Sequence, residues 1–348
     1  MTESGQIIHM VGSVPLDDAE TVFRTLGGRL AGHVLRIPDG ETGRRRRWIS
    51  FINDQLKAHP DLEVDPTQPP FDFKQADGTV VYTVNRLRFR DGVDPAKVTF
   101  HTGYADDAIR NFAVFDRLQA EGAIPAGVKY QICMATPLAI AYNFMSPAAR
   151  DAFVETYTAH LAAEFARIAD ALPHHRISYQ WDVCQEVLMW EGYYGDRPEE
   201  YKEQILSVLQ RIGDMVPDGI ELGYHLCYGS PGDAHMVRPK DMANLVEIAN
   251  GVAARIRRPI QYFHMPVPKE RNDDAYFAPL AALRLPARAQ LYLGAVHRDD
   301  DAGNAAKLEA ARRHAEIAGI GAECGMGRGD PANFEPMLKA HLRLVGGG

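Results

Sequence analysis

Apolar positions cluster in eight short runs: Ile7–Val14, His33–Ile37, Val128–Ala135, Ile177–Val183, Ile220–Cys227, Ile260–Met265, Gln290–Val296 and Gly319–Cys324. Between them lie longer stretches in which apolar residues recur at helical spacing, among them Ala149–Ala171, Pro198–Met215, Pro239–Ile256 and Ala302–Ala318. Short β-rich runs alternating with amphipathic helices imply parallel strands joined by right-handed crossovers. Eight such units predict an α/β fold closed into a (β/α)8 TIM barrel. No GxGxxG stands at a strand-to-helix turn, which argues against an open dinucleotide-binding sheet. The rhythm breaks between about residues 62 and 102, where DPTQPP is followed by VVYTVNRLRFRDG. This interval predicts a β-hairpin inserted between the second and third barrel strands and covering one end of a single-domain barrel over 1–348.

Composition narrows the function classes. The chain has 348 residues, 46% of them hydrophobic, and a formal net charge of −8. That balance speaks against a nucleic-acid partner, which calls for a basic face. The first residues, MTESGQIIHMVGSVP, lack the basic and apolar regions of a signal peptide, and no apolar run approaches the roughly 18 residues of a membrane span. A soluble, cytoplasmic protein is expected. Its four cysteines, Cys133, Cys184, Cys227 and Cys324, are far apart. In such a compartment they are thiols or metal ligands before they are disulfides.

In a barrel of this kind chemistry gathers at the C-terminal ends of the strands. Run one ends in Gly12-Ser13, run two leads into Asp39-Gly40-Glu41, run four ends in Asp182, run five in His225-Leu226-Cys227, and run eight in Cys324. His225 and Cys227 are two apart on a strand, so both face the same way. With Cys324 they offer one imidazole and two thiolates, a donor set suited to Zn2+ with one position open. Zinc there would activate a substrate thiol. Cys133 and Cys184 read as buried small residues.

At these residues the chain resembles the cobalamin-independent methionine synthases. Tyr224-His225-Leu226-Cys227-Tyr228 is similar to the family's zinc-binding His-x-Cys, and Glu323-Cys324-Gly325 to its last-strand cysteine. Val11-Gly12-Ser13-Val14-Pro15 matches the Gly-Ser that helps hold the homocysteine carboxylate. Asp39-Gly40-Glu41 and Gln180-Trp181-Asp182 match the two acids that bind its amine. The resemblance implies zinc held by His225, Cys227 and Cys324, and substrate held by Gly12, Ser13, Glu41 and Asp182. It departs from the family in three places. The strand-six glutamate ligand becomes His264, read here as a fourth ligand or a neighbouring proton donor. Asp-Glu-Pro on strand four becomes Asp182-Val183-Cys184. Only the catalytic half of the full-length synthases is matched, so the alkyl donor need not be a methylated folate.

Further readings stay open at this point. His297 after run seven is an acid or base, or a structural hydrogen-bonding residue. Glu186 and Tyr228 are assigned to the substrate pocket. Trp181, Trp190, Tyr193 and Tyr194 form an aromatic wall for the donor, or pack helices on the barrel. Arg44-Arg45-Arg46-Arg47 is a solvated face, or grips an anionic substrate tail. The expected activity is zinc-dependent alkyl or methyl transfer to a homocysteine-like thiol. The alternatives are an alkylation like that of epoxyalkane:coenzyme M transferase, a metal-free barrel of the uroporphyrinogen decarboxylase type, and a non-catalytic protein that stores zinc or a thiol.

Overall fold

The computed structural model describes residues 6–231 and 234–346. Strands β1 (Ile7–Ile8) and β2 (Arg36–Pro38) come first. An insertion carrying β3 (Leu62–Val64), β4 (Phe71–Lys74), β5 (Val80–Val84) and β6 (Leu87–Phe89) follows. The remaining strands are β7 (Lys129–Ala135), β8 (Ile177–Val183), β9 (Glu221–Leu226), β10 (Tyr262–Pro266), β11 (Gln290–Val296) and β12 (Gly319–Ala322). Eight of them form one parallel sheet in the order β1-β12-β11-β10-β9-β8-β7-β2. The ring closes where the Ile8 amide donates to the His33 carbonyl at 2.7 Å. The architecture is the (β/α)8 barrel that the apolar rhythm predicts. No helix among the described residues is long and apolar enough to cross a membrane.

The alternation of strand side chains sets what each face does. On β8, Tyr179 and Trp181 turn outward under the helix Arg150–Ala171, with the Phe165 ring 4.4 Å and 5.1 Å from theirs. Trp181 therefore packs a helix on the barrel and is no donor wall. Ser178, Gln180 and Asp182 alternate with these residues along the strand. Gln180 bonds the His9 ring at 2.9 Å, the Val11 carbonyl at 2.6 Å and Asp182 at 2.9 Å.

The first run is shorter as a strand than its hydrophobicity predicts. Only Ile7–Ile8 joins the ladder, because the carbonyls of Met10 and Val11 are taken by the side chains of Gln131 and Gln180. The backbone at Gly12-Ser13 is thus released from the sheet to line the mouth.

Below the mouth the interior is polar and closed. Arg36, only 3% exposed, reaches Glu221 at 3.1 Å and the Tyr292 hydroxyl at 3.2 Å, and its guanidinium lies 4.4 Å over the Tyr262 ring. Lys129 joins Glu221 at 3.0 Å. The Tyr262 hydroxyl donates to Gln180 at 3.2 Å.

The insertion is a hairpin nested in a second ribbon: β4 pairs antiparallel with β5, and β3 with β6. Its tip rests on the loop after β9, through Ala76 N–H to the His235 carbonyl at 3.0 Å and Gln75 Nε2 to the Pro231 carbonyl at 2.7 Å. Tyr193 Oη accepts the Lys74 amide at 2.7 Å, which pins the hairpin from the other side. The covering of one barrel end expected from the sequence is this roof.

Candidate functional site

Under the roof lies a chamber of about 660 Å³, bounded by Gly12, Ser13, Glu41, Trp48, Asp182, His225, Cys227, Cys324 and Arg328. Its base carries the soft donors. One ligand atom each from His225, Cys227 and Cys324 lies within 4.8 Å of the others. The two sulfurs are 3.4 Å apart. All three side chains are buried.

The His225 ring is held from behind. His225 is paired in register with His264 on β10 and with Asp182 on β8, so all three sit at one level of the barrel. His225 Nδ1 is 2.8 Å from His264 Nδ1, while His225 Nε2 is buried with no hydrogen-bond partner. Burial lowers the pKa of both imidazoles, most strongly that of His264. With the proton on His225 Nδ1, the Nε2 lone pair is left for a metal, the arrangement in which a metal-binding histidine donates its other N–H to a neighbour. Donor set, spacing and the orphaned Nε2 all fit a tetrahedral zinc site with one open position.

His264 is not brought into the ligand cluster. It stands level with His225 on the next strand, where its Nδ1 meets the His225 ring, and the next inward position along β10 is Pro266, which has no donor atom.

Without a metal beside them, both thiols are held above their ordinary range. Hydrogen bonding with Cys184 is the largest influence raising Cys227 well above its usual range, with burial adding. Contact with Cys227 and burial push Cys324 up to about 12. Cys184 therefore borders the cluster and the chamber, a place its reading as a bland core residue missed.

Two carboxyls also face the chamber, Asp182 beside His225 and Glu41 on the segment after β2. Glu41 (φ 49°) follows Gly40 (φ 77°) in a left-handed turn, and its amide is fixed by Asp39 at 3.0 Å. Gly12 makes room for it, since a Cβ there would lie 2.8 Å from Glu41 Oε1. Burial raises the pKa of Glu41, and Asp182 raises it further. Burial also raises Asp182. Two buried carboxyls with no basic partner within ion-pair distance are prepared for a cation. Trp48, at φ 53°, is a second non-glycine residue in the left-handed region bordering this space. Backbone strain of this kind gathers where side chains must be presented to a ligand.

Other expected site residues lie elsewhere. Tyr228 follows Cys227 by one and so faces away from the mouth, its hydroxyl 3.4 Å from that of Tyr276. Glu186 turns back from the chamber and accepts a short hydrogen bond from Thr136 Oγ1, and burial raises its carboxyl to about 7. Its neighbour Gln185 takes the chamber position. His297 borders a second cavity of about 410 Å³ with His235, Lys269 and Glu323, on the far side of Cys324. Its Nε2 lies 2.9 Å from the Val267 carbonyl. Trp190 donates to Glu247, and Tyr194 bonds Gln185. The chamber's aromatic residues are Trp48, Tyr82 and Phe144 instead.

The arginine run divides. Arg44 and Arg45 are consumed by Asp107 and Asp39, while Arg46 and Arg47 reach the chamber wall. Arg328, not singled out from the sequence, places Nη2 2.8 Å from Cys324 Sγ. It stands on the loop after β12, where the strand-end rule already directs attention.

Among solved structures, a B12-independent methionine synthase from Shewanella sp. W3-18-1, in complex with selenomethionine, superposes with a TM-score of 0.65. It covers 99% of this chain and 97% of its own at 14% identity. A protein assigned as a vitamin-B12-independent methionine synthase from Listeria monocytogenes gives a TM-score of 0.54 over 94% of this chain and 86% of its own, at 15% identity. The chain shares their fold. No family model and no curated protein sequence matches it.

Proposed function

We propose that this chain transfers an alkyl group, most simply a methyl, to the sulfur of a homocysteine-like thiol, with zinc held by His225, Cys227 and Cys324. One observation carries the reading: three convergent soft donors share a small chamber with an unpaired pair of buried carboxyls. Bound there, zinc supplies the Lewis acidity that keeps a substrate thiol deprotonated at neutral pH. His264 fixes the ring of His225 through the 2.8 Å contact. The Glu41 and Asp182 carboxyls, both held above the usual carboxylate range by burial, gain a counter-charge when a substrate ammonium lies between them. Gly12 and Ser13 lie at the substrate's carboxylate end, and Trp48 and Tyr82 exclude water from above. Holding thiol and donor in one enclosed space contributes proximity and orientation.

The neighbour that holds selenomethionine, the seleno form of an S-methylated amino acid, supports an amino-acid thiol as acceptor. His297 serves as the acid for the leaving group if the donor occupies the second cavity, which shares Ser230, Cys324, Gly325 and Gly329 with the chamber. A metal-free polyanion barrel gives no reason for the convergence of His225, Cys227 and Cys324. Arg46, Arg47 and Arg328 on the chamber wall favour, as a second reading, alkylation of a sulfonate thiol.

The test is metal analysis of the purified chain together with mass spectrometry of thioether formed from homocysteine or 2-mercaptoethanesulfonate with a panel of methyl donors and epoxides. About one zinc per chain is expected, lost with thioether formation in Cys324→Ser and His225→Ala. Full zinc occupancy in both variants would end the assignment.

A further inference from the structure

We propose that Arg328 binds the acid group of the thiol substrate, so that the chamber selects a zwitterionic amino-acid thiol by three separate contacts. The proposal rests on the thiol-alkylating reading above and adds a residue to it.

The loop after β12 is built to deliver this side chain. Met326 and Gly327 donate their amides to the Ser13 carbonyl at 2.8 Å and 3.2 Å. Gly327 also donates to Ser13 Oγ at 3.2 Å. The fit requires glycine, because a Cβ at Gly325 would lie 2.3 Å from Ser13 Oγ and one at Gly327 2.7 Å from Ser13 Cβ. Arg328 follows directly and enters the chamber from this clamp.

Its guanidinium is largely unspent. A guanidinium has five N–H donors, and here one contact, to Cys324 Sγ, is made among the described residues. No carboxylate of those residues comes within 4.0 Å of it to form an ion pair. Arg45, at similar depth, meets Asp39 at 2.5 Å and Asp107 at 3.2 Å. A partly buried guanidinium left without an anion is unfavourable unless a ligand supplies one. Arg328 is nonetheless close enough to Glu41 and Asp182 for its charge to act on both carboxyls.

The chamber therefore presents three unmet demands. Glu41 and Asp182 call for a cation, Arg328 calls for an anion, and His225, Cys227 and Cys324 call for a soft metal carrying a sulfur ligand. Ser13 adds a hydroxyl whose oxygen accepts from Gly327, leaving its proton to donate. A homocysteine-sized molecule has one group for each: an ammonium, a carboxylate and a thiol. Planar, bidentate recognition of a carboxylate is what arginine does best.

The experiment uses zinc-loaded full-length protein and three thiols: homocysteine, 3-aminopropane-1-thiol, which lacks the carboxylate, and 4-mercaptobutanoate, which lacks the amine. Binding is measured by calorimetry, with zinc content and melting temperature followed for each variant. Arg328→Gln should weaken homocysteine and 4-mercaptobutanoate by about 10- to 100-fold and leave 3-aminopropane-1-thiol unchanged, with Arg328→Lys in between. Equal loss for all three thiols would overturn the proposal, since Arg328 would then act on the metal centre or the fold. Should Arg328→Gln fail to fold, the wild-type comparison decides, because equal affinity for homocysteine and 3-aminopropane-1-thiol also overturns it. Tighter binding of 2-mercaptoethanesulfonate than of homocysteine would overturn the zwitterion. Binding of none of these thiols by the wild-type chain would remove the thiol reading itself, and the proposal with it.

Discussion

The floor and the mouth of the barrel are both lined with polar side chains, and they treat them in opposite ways. On the floor, Arg36 is joined to Glu221 and Tyr292, Glu221 to Lys129, and Gln180 to His9 and Tyr262. The charges there answer one another across strands. At the mouth, among the described residues, His225 Nε2 has no hydrogen-bond partner, Glu41 and Asp182 form no ion pair, and the Arg328 guanidinium bonds a sulfur. Buried polar groups that satisfy each other fix a structure, whereas those left over describe what is missing from it. The leftovers at the mouth, three soft donors, two carboxyls and a guanidinium around one chamber, are the observation on which the proposed function rests.

Perturbing each region separately tests the distinction. The largest stability effect belongs to the floor. Arg36→Met should destabilise the chain by about 2 kcal/mol in urea denaturation, because Tyr292 loses its charged donor and Glu221 keeps only Lys129, with zinc per folded molecule unchanged. Loss of zinc without loss of stability would show that floor and mouth are not separable. At the boundary, His264→Phe should weaken zinc by about 10- to 100-fold in chelator competition, since His225 loses its orienting partner. Unaltered affinity would reduce His264 to a space filler.

The smallest effect concerns pH. Burial, reinforced by Asp182, holds the Glu41 carboxyl above its ordinary range. This carboxyl thus binds its proton more tightly in the folded chain, and its own contribution to stability falls as pH rises from its ordinary range to about 8. Glu41→Gln removes this penalty. It should raise the melting temperature by a few degrees at about pH 8 and hardly at all near pH 4. A gain of equal size at both pH values would contradict the unpaired state assigned to this carboxyl.

Much of the barrel was legible because its code is local. Six of the eight runs are strand over most of their length, and the period of two puts His225 and Cys227 on one face. The second run overlaps its strand only at Arg36-Ile37, and the first is cut short because side chains distant in sequence, Gln131 and Gln180, take its carbonyls. Register between strands is not written locally, and that is why the sequence leaves His264 open between a fourth ligand and a neighbour; the structure sets it level with His225 and outside the cluster of donors. Tyr228 was avoidable, since the residue next to an inward-facing ligand must face away. Arg328 was hidden differently: the Gly-rich segment after Cys324 carries no periodicity, and its course depends on contact with Ser13, more than 300 positions earlier. Trp181 was ambiguous by composition alone and was decided by its contact with Phe165.

The nested hairpin contributes Gln75, Ala76 and Asp77 to one cavity and Val81 to Val84 to the other. A single stretch of about ten residues, attached to the barrel as an appendix, thereby sets the headroom of both compartments. His225, Cys227 and Cys324 stand on or just after β9 and β12, so the headroom over them is set by chain that takes no part in the barrel sheet.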